Sequence, residues 1–179
     1  MNSERTFVLR RRLLLSLSAL LALLFCGCGY HMGSMMHPQI KTIAISDIRN
    51  DSREPLLTPV LRTQLAEAFQ FDNSLSLKSK SEADCILYCR VISVKTNSIR
   101  ESSTDDDRTY RPSEFQITIE AEFQVKIPGK SDPLIPTRPV TCSSNYQYNA
   151  DPNVGKYYGM RQAAYDLSRM IVQYTTEAW

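Results

Sequence analysis

The sequence predicts an α+β fold: two layers, a mixed β-sheet covered on one face by two amphipathic helices, in the order β-α-β-β-β-β-α. Three patterns predict it. Phe115, Ile117, Ile119, Ala121, Phe123, Val125 and Ile127 alternate without a miss against Gln116, Thr118, Glu120, Glu122, Gln124 and Lys126, the period of a long half-buried strand. Tyr157, Met160, Ala164, Leu167, Ile171 and Tyr174 recur at spacings of 3-4-3-4-3, the apolar stripe of a helix. Leu61, Leu65 and Phe69 form a second such stripe. A one-sided sheet and one-sided helices bury their apolar faces against each other, which sets the layer count.

The elements follow in order. Ile40 to Ser46 is the first strand, with Ile43 and Ile45 on one face, and Asp47 to Glu54 is a polar turn. Thr58-Pro59 reads as an N-cap followed by proline at the first helical position, opening a helix to about Phe69. Asp72-Asn73-Ser74 breaks it, and Leu75 to Lys78 is a short strand. The run from Asp84 to about Asn97 is apolar on both faces, Leu87 and Val91 alternating with Ile86, Tyr88, Ile92 and Val94. That suits a central strand, or one whose outer face meets a partner. After the long strand, Val140 to Tyr148 repeats the alternation, and a helix closes the fold from about Val154 to Glu177.

Ahead of this domain lies a leader. Arg10-Arg11-Arg12 precedes Leu13 to Phe25, apolar apart from Ser16 and Ser18. As a helix it reaches only ~20 Å, short of a ~30 Å bilayer core, so residues 1–27 read as a secretory signal. Gly27 before Cys28 meets the need of a bacterial lipobox, although Phe25 and Cys26 are not its usual residues. Cys28 is the expected lipidation site, and several acyl chains on one terminus anchor firmly. Residues 28–39 read as a tether and 40–179 as the domain. Gly29, rather than Asp, behind Cys28 favours sorting to the outer membrane.

Charge and chemistry narrow the function. The leader carries +3, while the other 152 residues hold 17 Lys+Arg against 18 Asp+Glu, or −1. A basic nucleic-acid-binding surface is therefore not indicated. The two histidines, His31 and His37, both fall in the tether, and no phosphate loop, nucleophile elbow or His-Glu-x-x-His motif occurs. Asp105-Asp106-Asp107 lacks the Gly and distal Glu of a calcium loop. The expectation is a non-enzyme without metal or cofactor. Cys85 and Cys89, four strand residues apart, lie about 13 Å from each other, beyond the ~4.4–6.8 Å that a disulfide spans. Cys142 bonds one of them only if its strand is adjacent; otherwise the three thiols pack as small hydrophobes.

Cys28-Gly-Tyr-His-Met-Gly33, Ile40-Lys-Thr-Ile-Ala-Ile45, Asn50-Asp-Ser-Arg-Glu-Pro55 and Ala83-Asp84-Cys-Ile-Leu87 occur in order at suitable spacing. Together they resemble the LptE family, outer-membrane lipoproteins of lipopolysaccharide assembly. The resemblance implies a lipid-anchored protein on the periplasmic face of the outer membrane. It would plug an LptD-type β-barrel, assist the barrel's folding and engage lipopolysaccharide. The alternative expectation is an outer-membrane lipoprotein that activates a cell-wall synthase or assembles a secretion pore. Within the long polar connection Ser98 to Pro112, Arg100, Arg108 and Arg111 are the candidate ligand contacts, because guanidinium matches phosphate and carboxylate groups. Glu101 and Asp105 to Asp107 are placed either to pair with those arginines or to hold bridging divalent cations.

Overall fold

A computed structural model describes residues 39–104, 107–147 and 151–177. The chain forms β1 (Thr42–Ile45), β2 (Arg49–Asn50), α1 (Leu57–Asp72), β3 (Ser76–Leu77), β4 (Cys85–Thr104), β5 (Asp107–Lys126), β6 (Pro133–Gln147) and α2 (Pro152–Thr176). One mixed sheet has the order β3-β1-β4-β5-β6, with β2 also paired to β4. β1 lies parallel to both β3 and β4, whereas β4, β5 and β6 are antiparallel neighbours. The predicted α+β architecture is the observed one.

The core lies between the sheet and both helices. Leu87 and Val91 of β4, with Ile117, Ile119 and Val125 of β5, have no exposed surface, and Phe123 is 1% exposed. They meet Leu57, Leu61, Leu65 and Phe69 of α1 and Ala164, Leu167 and Ile171 of α2 in a single cluster. Burying each Val, Leu, Ile or Phe side chain contributes about 1.5–3 kcal/mol, so the strict alternation of β5 supplies a large share of the core.

Several boundaries differ from the sequence reading, each for a local reason. Helix α1 begins at Leu57 behind an N-cap position, Leu56, that has no side-chain cap. Thr58 is not the cap because it already lies within the helix; its hydroxyl accepts a hydrogen bond from Asn50 Nδ2 at 3.2 Å. Pro59 sits in the first turn, where its missing N–H costs nothing. The polar turn after β1 contains a strand of its own, β2, which pairs with Arg90 and Val91. Ala44 is buried as well as Ile43, while Ile45 is only half-buried. In β4 a register shift falls between Val91 and Ser93. Ile92 is the residue without a partner there and is exposed; the extra residue turns the following side chains over, so Val94 packs against the core.

Helix α2 starts at Asp151, whose carboxylate accepts the Asn153 backbone N–H at 2.9 Å, with Pro152 in the first turn. Its buried stripe lacks Tyr157, which is 40% exposed. Gly155 and Gly159 take that position, because the helix approaches β6 too closely there for a larger side chain. The three cysteines are free thiols. Cys89 lies opposite Phe123 and Cys142 opposite Ile119, on strands separated by β5. Two strand spacings of ~4.8 Å alone exceed disulfide reach. Burial pushes the Cys85 and Cys89 thiols up to about 12 and raises that of Cys142.

Candidate functional site

The stretch from Ser98 to Pro112 is a hairpin arm, not a loop. β4 and β5 remain paired from Ser98↔Phe115 out to Thr104↔Asp107. Among the described residues the last rung of β6 is Gln147 opposite Glu114, and β4 and β5 pair with each other beyond it. Backbone hydrogen bonding lets a polar sequence extend as a ladder when no apolar periodicity demands it. Arg100 stands opposite Glu114 and Arg111 opposite Ser102, which puts the two arginines two rungs apart on facing strands. Arg108 lies nearer the tip in β5. The hairpin therefore gathers all three candidate arginines. Cys28, the tether and Asp105 and Asp106 lie outside the described residues.

The arm and the chain entry mark opposite ends of the domain. Ile43 pairs with Cys85 at the start of β4, and the two strands run the same way. At ~3.3 Å per residue, β4 carries the chain about 60 Å from Cys85 to Thr104. The entry itself is clamped. Asp84 Oδ2 accepts the backbone N–H groups of Lys41 and Thr42, both at 3.0 Å, and the Thr42 hydroxyl at 2.8 Å. The Lys41 amide, then the Thr42 side chain, hold the Asp84 carboxyl below its ordinary 3.8.

The sheet face away from the helices is a lattice of cross-strand polar pairs. Arg90 donates to Asp51 at 2.6 Å and to Glu122 at 3.2 Å. Glu120 accepts Lys95 Nζ and the Ser93 hydroxyl, both at 2.7 Å. Thr118 bonds Ser143 at 2.8 Å, and Gln116 Nε2 donates to Asn145 Oδ1 at 3.2 Å. Hydrogen bonds from Arg49 and Arg90 lower the Asp51 carboxyl, and those from Lys95 and Ser93 lower Glu120. Both stay anionic at neutral pH, so these groups hold charge rather than move protons. Tyr88 and Ile92 of β4 stand exposed on this face, the expected apolar outer side of a central strand. Among the described residues no group of three or more His, Cys, Asp or Glu is placed to hold a metal ion.

One constellation was missed in the sequence reading. Asn50 Nδ2 donates to the Glu54 carbonyl at 2.9 Å and to Thr58 Oγ1, while its Oδ1 accepts the Ser52 N–H and hydroxyl at 3.0 and 2.7 Å. Glu54 then pairs with Lys156 of α2. An Asn two residues before a Ser is the local signal for such an Asx turn. The helix it reaches, 102 residues away, leaves no such local mark.

Chains of known structure share this architecture. A minor lipoprotein from Acinetobacter baumannii is 18% identical over 76% of this chain and 93% of its own, with a TM-score of 0.50. A hypothetical protein from Chlamydia trachomatis is 12% identical over 76% of this chain and 96% of its own, with a TM-score of 0.53. A protein from Xanthomonas campestris is also 12% identical, over 78% and 88%, with a TM-score of 0.53. At such identities the likeness is one of fold. No curated protein sequence matches the chain. The lipopolysaccharide-assembly family model matches residues 40–175, most of the sequence and nearly all of the described domain. This does not favour the alternative of a cell-wall synthase activator or a secretion pore. The chain belongs to the LptE lipopolysaccharide-assembly family.

Proposed function

We propose that this protein acts in lipopolysaccharide assembly as the partner of an LptD-type outer-membrane β-barrel. In this reading it is anchored by lipid at Cys28 on the periplasmic face and works without catalysis. The observation that carries the reading is the family match over residues 40–175. The geometry supports it in two ways. The polar lattice on the open sheet face, with Arg90, Lys95, Asp51, Glu120 and Glu122 paired among themselves, suits the wet, polar interior of a large barrel. The arm projects from the end of the domain opposite β1 and carries Arg100, Arg108 and Arg111 in its two strands. There they are offered to phosphate and carboxylate groups of lipopolysaccharide.

The test is depletion. Without the protein, the barrel should fail to mature and lipopolysaccharide should stop reaching the cell surface. Normal barrel folding together with normal surface lipopolysaccharide would exclude this role.

A further inference from the structure

β6 ends the sheet with an open edge. Among the described residues it pairs with β5 alone, whereas the opposite edge strand, β3, is two residues long. Pro139 reveals which backbone groups of β6 face outward. It stands opposite Glu122, and without an N–H it cannot exchange the two bonds of a hydrogen-bonded rung. Its rung is therefore of the other kind, in which both residues turn their N–H and C=O groups away from the partner strand. The register runs unbroken from Glu122↔Pro139 to Glu114↔Gln147, so Thr141, Ser143, Asn145 and Gln147 also present their backbone groups to the open side. Among the described residues no other backbone group bonds to them. The Ser144 hydroxyl reaches the Asn145 carbonyl at 3.5 Å, a long contact.

Sheet edges are ordinarily shielded by proline and by charge. The first half of β6 has both, in Pro133, Pro136, Arg138 and Pro139. The second half, residues 140–147, holds no proline and no Lys, Arg, Asp or Glu. Its two faces differ. The side chains of Thr141, Ser143, Asn145 and Gln147 are exposed, and Ser143 and Asn145 join the polar lattice through Thr118 and Gln116. On the other face Tyr146 lies against α2. There residues 144–147 border a cavity of about 710 Å³ together with Gly155, Tyr158 and Gln162, and Tyr158 is 61% exposed.

We propose that the edge of β6 over residues 140–147 docks an extended segment of a partner polypeptide, which joins the sheet as a further strand. The spacing of the free groups selects this occupant. A donor and an acceptor recur every second residue, about 6.7 Å apart along the edge. Another strand carries that repeat, and acyl chains and sugars do not. The two faces select its pattern: uncharged polar side chains beside Thr141, Ser143 and Asn145, alternating with apolar ones on the α2 side beside Tyr146 and Tyr158. This assignment does not depend on the barrel reading.

The test uses the full chain in detergent and a fluorescein-labelled peptide, Lys-Thr-Val-Ser-Tyr-Thr-Val-Ser-Lys, followed by anisotropy. Its counterpart has the same side chains with every internal backbone nitrogen methylated. The unmethylated peptide should bind saturably and at least about tenfold more tightly, because only it donates to the edge. Residue-resolved amide exchange should find Thr141, Ser143 and Asn145 fast in the chain alone and at least about tenfold slower with that peptide. Ser143→Pro removes an outward N–H while keeping its rung with β5, as Pro139 does, and should abolish binding in a chain that still melts cooperatively. The methylated counterpart and the exchange measurement use the unaltered chain, so they decide the matter whether or not that variant folds. Equal binding of the two peptides, no saturable binding, unchanged exchange, or normal binding by folded Ser143→Pro would overturn the proposal. So would protection of the three amides that grows with protein concentration in the absence of peptide, since the occupant would then be a second copy.

Discussion

Gly159 lies against the ring of Tyr146 so closely that a β-carbon at position 159 would sit 2.7 Å from Tyr146 Cδ1 and 3.1 Å from its Cβ and Cγ. One turn earlier, a β-carbon on Gly155 would come within 2.7 Å of the Gln147 carbonyl oxygen. The two glycines make a flat track on α2, and Tyr146 of β6 fills it, its ring stacked on Phe115 at 5.5 Å. Helix and sheet therefore meet almost backbone to backbone at the root of the arm.

That contact fixes the sign of a substitution. In a free helix Gly→Ala is worth about 1 kcal/mol of stabilisation. Here Gly159→Ala should destabilise by about 1–3 kcal/mol through overpacking, seen as a lower denaturant midpoint. In a Tyr146→Ala background, which removes the Cδ1 and Cγ contacts, the same glycine substitution should cost less. A stabilised Gly159→Ala single variant would show that the contact is looser than described.

Adjacent residues of β5 should behave in opposite ways. Ile119 has no exposed surface, and an aspartate there would bury a charge without a partner. Ile119→Asp should cost at least about 4 kcal/mol and leave little folded protein. Glu120→Gln removes only an exposed pairing with Lys95, a change of about 0–1 kcal/mol. Similar thermal melts for the two variants would contradict the assignment of faces.

Acid should loosen the chain entry. Asp84 sits below its ordinary 3.8 because it accepts the Lys41 and Thr42 donors. A carboxyl lowered in the folded state contributes stability above its unfolded value and loses it as the pH falls through the folded value. The melting temperature should hold from pH 7 to about pH 5 and fall below about pH 4. Asp84→Asn should melt lower at pH 7 and show a shallower fall in acid. Parallel pH curves for both proteins would remove Asp84 from the account.

The arm arginines should matter for ligand and not for fold. Replacing Arg100, Arg108 and Arg111 together with Ser should weaken lipopolysaccharide binding measured by co-purification. The melt should stay in place, since β4 and β5 are held together there by backbone pairing that the substitutions leave intact. Unchanged binding would make the arm a solvated, self-neutralised hairpin.

Lipidation is checked by mass. The membrane-bound form should begin at Cys28 and carry added acyl mass. A mature terminus elsewhere, or an unmodified Cys28, would leave the anchor without support.

The sequence by itself determined the parts governed by local periodicity. The alternation of Phe115 to Ile127 set both the strand and its buried face, and Leu61, Leu65 and Phe69 set the inner side of α1. Those patterns are legible because each side chain's environment repeats every 2 or 3.6 residues. Tertiary structure decided what depends on residues far apart in the chain. Cys142 remains a thiol because β5 lies between its strand and that of Cys89. Tyr157 left the helical stripe because Tyr146 claims the glycine track beside it. Ser98 to Pro112 reads as a loop because its composition is polar, yet it is a ladder because two polar strands satisfy each other's backbone groups without needing a core. The Asn50 turn was visible in sequence only as a motif. Its attachment to α2 through Glu54 and Lys156 required the fold to bring together residues 102 positions apart, and no local pattern encodes that distance.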